Sequence, residues 1–258
     1  MIIGIVGVPP WDMMQTYLRA GHSIIDLDEP VPDLPVQDVF LPNAYCSILK
    51  RVVSNIFGLR ERGGLDLVLA TVGECKCDGM RNIARWLETA TDIPVKQVRN
   101  GNMKGAGHPI CDSGLPLPEK FERIVSSVFE PVPAALAPRL APVEPVCGFW
   151  GVPPYDFDIA HLFPDRTRIF GWTRCMENRT PADLDLECFV QPGLPTVFFT
   201  QSFCQKAALA FNLAKAHNGL FVEVDKRLTR STAAKIQAFI EFNVRQEKPG
   251  RRRTRPHA

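Results

Sequence analysis

The feature that most constrains this chain is an internal repeat. Gly4-Ile5-Val6-Gly7-Val8-Pro9-Pro10-Trp11-Asp12 returns 144 residues later as Gly148-Phe149-Trp150-Gly151-Val152-Pro153-Pro154-Tyr155-Asp156, with six of nine positions identical. Each copy is an apolar run stopped by paired prolines, which lack a backbone donor and hold φ fixed, so a strand ends there. One strand-and-turn unit recurring at such a distance points to two related lobes. At 258 residues, 45% of them hydrophobic, the chain has enough apolar material for both.

The first copy opens a βαβ pattern. Trp11, Met14, Tyr17 and Leu18 recur at helical spacing, and Ser23-Ile24-Ile25-Asp26-Leu27 reads as the second strand. Ile48, Leu49, Val52, Val53, Ile56 and Phe57 line one face of a helix that stops near Gly63-Gly64. The run 65–72 is a buried strand, a helix follows through Ile83, Trp86 and Leu87, and 93–98 is a further strand. The glycine-rich stretch 100–109 fits neither phosphate-loop pattern and is expected to be a lid or a plain connection. Residues 130–145 hold five prolines and read as a semi-rigid linker.

The second lobe predicts strands at 167–172, 195–200 and 220–225, and helices through Ala207–Leu213 and 233–240, with 173–186 polar and irregular. The expected fold class is α/β, two Rossmann-like lobes with parallel sheets and a cluster or ligand site in the cleft between them. The expected division is 1–129, linker 130–145, a compressed lobe 146–246 and a basic tail 247–258.

A formal charge of +2 gives no electrostatic footprint for nucleic acid or membrane. No basic leader precedes the first strand and no run approaches the ~18 apolar residues of a membrane span, so a cytoplasmic location is expected. Eight cysteines in such a chain suggest metal or redox chemistry over a disulfide framework. Cys147 and Cys188 are expected to be small buried hydrophobes.

Three of the others recur in one setting. Cys46 opens the helix through Ile48, Cys77 follows the strand 65–72 in the turn Glu74-Cys75-Lys76-Cys77-Asp78-Gly79, and Cys204 follows the strand 195–200. Helix starts present N–H groups that stabilise thiolates and the sulfides of an iron–sulfur cluster, and the dipole is expected to lower the Cys46 pKa. The wide spacing lacks the compact run of a ferredoxin, which leaves scattered structural cysteines as the alternative.

These residues carry a resemblance to the 2-hydroxyacyl-CoA dehydratase and benzoyl-CoA reductase family. It runs through the proline turn with Ala20-Gly21, the Cys46 helix, Leu65-Asp66-Leu67-Val68 leading to Cys77-Asp78-Gly79-Met80-Arg81, Phe199-Thr200-Gln201-Ser202-Phe203-Cys204, Val222-Glu223-Val224-Asp225 and residues 233–241. The order is kept over nearly the whole chain. The resemblance implies a D-component-like iron–sulfur subunit with a [4Fe-4S] cluster on Cys46, Cys77 and Cys204 and an open fourth iron. It also implies electrons from an ATP-hydrolysing iron–sulfur activator, a similar subunit as partner, and an acyl-CoA or other small-molecule substrate. No nucleotide-binding loop lies in this chain, in keeping with ATP being used by a partner.

The chain departs from the family by a short second lobe between Gly171 and Pro195, which puts acyl-CoA binding in question. Cys75 stands as an alternative to Cys77, and Cys75 or Cys175 as a fourth ligand. His108 is the one candidate proton donor, with His22, His161 and His217 scattered. Asp78 reads as a helix cap, Lys76 as solvated, and Trp11 and Tyr155 as packing between lobes. The functional readings are a dehydratase or reductase component, an iron–sulfur scaffold or electron-transfer protein without acyl-CoA turnover, and a non-metal small-ligand-binding protein.

Overall fold

A computed structural model describes residues 1–244. The basic run 251–255 and the expected tail therefore lie outside the described residues. The first lobe is built from β1 (Ile2–Val6), α1 (Trp11–Arg19), β2 (Ser23–Asp26), α2 (Ser47–Glu61), β3 (Leu67–Thr71), α3 (Asp78–Ala90) and β4 (Val95–Val98). Its four strands are all parallel, in the order β2-β1-β3-β4. Helices cover both faces, which is why the strands read as continuous apolar runs rather than alternating ones.

Two short helices, α4 (Pro109–Asp112) and α5 (Leu117–Ser126), lead to the second lobe. There β5 (Cys147–Gly151), β6 (Thr167–Phe170), α6 (Trp172–Asn178), α7 (Leu184–Cys188), β7 (Thr196–Gln201), α8 (Ala207–Ala216), β8 (Leu220–Val224) and α9 (Arg230–Val244) follow. The sheet is again parallel, in the order β6-β5-β7-β8, so the two lobes share one topology. The chain is α/β with two Rossmann-like lobes. Among the described residues no helix is long and apolar enough to cross a membrane.

The repeated glycine serves each lobe differently. Gly7 has φ +71, and its N–H donates to the Asp28 carboxylate at 2.6 Å. At Gly151 a Cβ would stand 2.6 Å from the Phe199 carbonyl oxygen, a contact no side chain can make.

The stretch 173–186, expected to be irregular, instead holds α6 and the start of α7. Buried Thr173, Cys175 and Met176 supply an apolar face, and Arg179 in the left-handed region ends α6. Asp183 then caps α7 by accepting from the Leu186 N–H at 2.9 Å.

Residues 130–145 do not behave as a free linker. Leu136 and Leu140 are buried in a core that runs from Ile3, Ile5 and Met14 in the first lobe through Phe121 of α5 to Phe149 and Phe199 in the second. Lys120, wholly buried, donates to the carbonyls of Cys111 and Thr167 at 3.1 and 2.6 Å, tying α4 to β6. The Glu177 carboxylate accepts from the N–H groups of Ile110 and Cys111. The glycine-rich loop is also stitched down, since Asn102, Ala106 and Gly107 all bond to Asn178 or Arg179 at the end of α6. It is a connection fastened to the second lobe, and the two lobes share one core.

Candidate thiol site between the lobes

Both sheets present their carboxyl ends to one cavity of about 170 Å³. Cys46, Cys77 and Cys204 all line it. Cys46 is the N-cap residue of α2 and Cys77 that of α3, each in extended backbone. Cys204 sits in the turn after β7, its carbonyl accepting from Ala207, the first residue of α8. Its place is therefore just ahead of the helix rather than at its head.

Each sulfur faces backbone N–H groups: Ile48 and Leu49 for Cys46, Gly79 and Met80 for Cys77, Lys206 for Cys204. At Cys46 and Cys77 the approach favours a thiolate without forming a cap hydrogen bond. The sulfurs also lie within electrostatic reach of one another, Cys46 with both partners and Cys204 with Cys77. Burial outweighs the helix N–H groups, so all three thiols are raised, Cys46 to about 12. This reverses the expectation of a depressed Cys46 pKa: a half turn of N–H dipoles is weaker than the loss of water around the sulfur.

The second lobe locks this arrangement. Gln205 accepts from the Asp78 N–H at 2.9 Å, and Lys206 donates to the Cys75 carbonyl at 3.4 Å and to Glu187 at 2.5 Å. The helix-capping role expected of Asp78 thus falls to Gln205, while Asp78 pairs with Arg81 at its own helix start. Cys75 has φ +60, a strained conformation for a residue with a Cβ, held by that Lys206 bond. Lys76 is not solvated. Its ammonium is buried 5.0 Å from the centre of the Trp172 ring, and burial brings its pKa down to about 8.

The same cavity carries an acidic wall that the sequence reading passed over. Asp26, Asp28 and Glu29, at and just beyond the end of β2, line the cavity. Protein surrounds them while part of each faces the cavity. Burial raises all three, Asp26 well above the carboxylate range, Asp28 to about 6 and Glu29 to about 7. Arg51 from α2, 2% exposed, opposes that rise and donates to the carbonyls of Asp28 and Tyr155. Three acids at the carboxyl end of a parallel strand were the available signal.

The remaining candidates lie elsewhere. His108 is the N-cap residue of α4 and does not line the cavity; burial and Arg174 lower its pKa. Cys75 and Cys175 do not line it either, and the Cys175 thiol donates to the Asp183 carbonyl with its pKa raised by burial to about 12. His22 lies beside Tyr17, His161 in an outer groove and His217 against Phe198. Cys147 is fully buried, whereas Cys188 is only half-buried.

Trp11 and Tyr155, equivalent in the repeat, make equivalent contacts across the lobes. The Arg179 guanidinium lies 3.3 Å from the Trp11 ring centre and that of Arg51 lies 3.7 Å from Tyr155. All eight cysteines are free. Among the described residues no three His, Cys, Asp or Glu side chains are placed to hold one metal ion. No protein-family model and no curated protein matches the chain.

Proposed function

We propose that Cys46, Cys77 and Cys204 hold a [4Fe-4S] cluster, and that the protein is the iron–sulfur component of a 2-hydroxyacyl-CoA dehydratase-like or related ATP-driven low-potential reductase system. The observation that carries this reading is the convergence of three thiols, from three separate stretches of chain, on one cavity edged by backbone N–H groups. An all-thiol donor set suits iron–sulfur chemistry, and such a cluster takes each thiolate on a different iron, so its ligands need not close on a single ion. When bound it supplies one-electron transfer at low potential.

The chain's own residues would do the rest. Backbone N–H groups offset the charge of the thiolates, Trp172, Met80 and Leu49 exclude water, and Lys76 and Lys206 add positive charge at one edge. Because all three thiols are raised by burial, loading releases protons and is favoured by higher pH. No fourth cysteine lines the cavity among the described residues, which leaves room for a small ligand. The reading includes a cytoplasmic location, a separate ATP-hydrolysing iron–sulfur activator as electron donor and a similar subunit as partner.

One observation favours the second reading, an iron–sulfur scaffold or electron-transfer protein without acyl-CoA turnover. The cavity, about 170 Å³, is below the ~300–1,000 Å³ that encloses larger organic ligands. The test is anaerobic reconstitution, assay of iron and sulfide, and electron paramagnetic resonance after reduction. About four irons and four sulfides per chain with a cluster signal are expected. A folded protein that takes up no iron overturns the proposal and leaves the non-metal small-ligand reading. With the cluster in place, a spectrum unchanged by acyl-CoA selects the electron-transfer reading.

A further inference from the structure

Glu29 lines the inner thiol cavity and also an outer groove of about 580 Å³ edged by Tyr155, Asp156 and Lys226. Asp28 and Asp26 line the same cavity beside it. Asp28 is held by the Gly7 N–H at 2.6 Å, and its own N–H donates to the Asp26 carboxylate at 2.9 Å. Successive carboxyls lie within electrostatic reach, Glu29 with Asp28 and Asp26 with both.

We infer that Asp26, Asp28 and Glu29 form a proton route from the outer groove into the thiol cavity, with Glu29 as its outer end. The inference rests on the reading that reduction takes place in this cavity. An electron brought into a largely apolar space adds a net charge, and burying an uncompensated charge is expensive. A proton arriving with it removes that penalty. The electron comes from a one-electron donor protein of low potential and the proton from water in the groove. Glu29 takes that proton as it passes its own to Asp28, and each inner carboxyl is reprotonated from its outer neighbour. One proton enters per electron and stays on the run, where the added negative charge converts one ionised carboxylate into the neutral acid.

The surroundings of the run fit a relay better than a fixed ion pair. Its facing groups are Arg51 from α2, Cys77 within reach of Asp28, and the Gly7 N–H. One guanidinium faces three carboxyls, so the run retains protons near neutral pH, and Glu29 at about 7 is balanced between its two forms there. Arg51 is itself committed to two carbonyls and the Tyr155 ring.

The test compares the intact chain with Glu29→Gln and Glu29→Asp. Iron-loaded protein is photoreduced anaerobically in weak buffer with a pH-indicator dye, and proton uptake is followed with cluster reduction. Expected are about one proton per electron in the unaltered chain, uptake at least about tenfold slower in Glu29→Gln, and recovery of most of the rate in Glu29→Asp. Iron content should be equal in all three. Reduction without proton uptake, or Glu29→Gln uptake at the unaltered rate, overturns the route while leaving the cluster intact. If the folded chain takes up no iron, the cluster reading fails. The route is then tested in the iron-free protein by following hydrogen–deuterium exchange of the protonated carboxyl C=O band in the infrared. Slower exchange in Glu29→Gln supports it and equal exchange overturns it.

Discussion

The two lobes have the same strand order and the same Gly-Val-Pro-Pro-aromatic-Asp turn, yet they contribute unequally to the cavity. In the first lobe the helix between β2 and β3 begins at Cys46; in the second, the helix between β6 and β7 begins at Gly171 and Trp172. At and just after the end of β2 come two aspartates and a glutamate around Leu27; after β6 come a glycine and an indole. The repeat therefore supplies the frame, and the differences between its copies supply the chemistry. One side brings two thiols and the acids, the other one thiol, the ring and Lys206.

The paired cation–π contacts are the most direct way to break this comparison. Arg51→Ala removes a buried guanidinium, two hydrogen bonds and the charge facing three carboxyls. A loss of about 3 kcal/mol in denaturant unfolding is expected, at the low end for a broken buried pair because the carboxyls can take up protons. Arg179→Ala, the equivalent contact on Trp11, is expected to lose only about 1 kcal/mol. Equal losses would mean that the lobes are energetically symmetric and the acidic wall inert.

A smaller effect sharpens the same point. Folding raises Glu29 from 4.5 to about 7, so in that window the folded state binds more protons than the unfolded one. The stabilisation from this group is complete below 4.5 and is lost as pH rises through about 7. Iron-free protein should become less stable from pH 5 to pH 7.5, and Glu29→Gln should flatten that slope in chemical denaturation at several pH values. An unchanged slope would remove Glu29 as the titrating group.

Much of the fold was readable because its signals are local. Apolar runs stopped by Pro9-Pro10 and Pro153-Pro154, and helical spacing after Cys46 and Cys77, lie within single stretches of sequence. Convergence of Cys46, Cys77 and Cys204 followed from placing each after a strand or at a helix start. What escaped depends on contacts between distant residues. Gln205 caps α3 across the lobe boundary, Lys76 lies on Trp172, and Leu136 and Leu140 turn a proline-rich stretch into core. Thiol pKa values also depend on burial that no local pattern encodes. His108 was singled out for its glycine-rich surroundings, but Asn178 fastens that loop away from the cavity.

The central claim is that three thiols, and not the other five, make the site. The most direct measurement is iron content after anaerobic reconstitution of four single variants: Cys46→Ala, Cys77→Ala, Cys204→Ala and Cys147→Ala. The expected result is loss of most of the iron in each of the first three and full retention in Cys147→Ala, whose thiol is fully buried in β5 away from the cavity. Equal iron in all four folded variants would contradict the assignment.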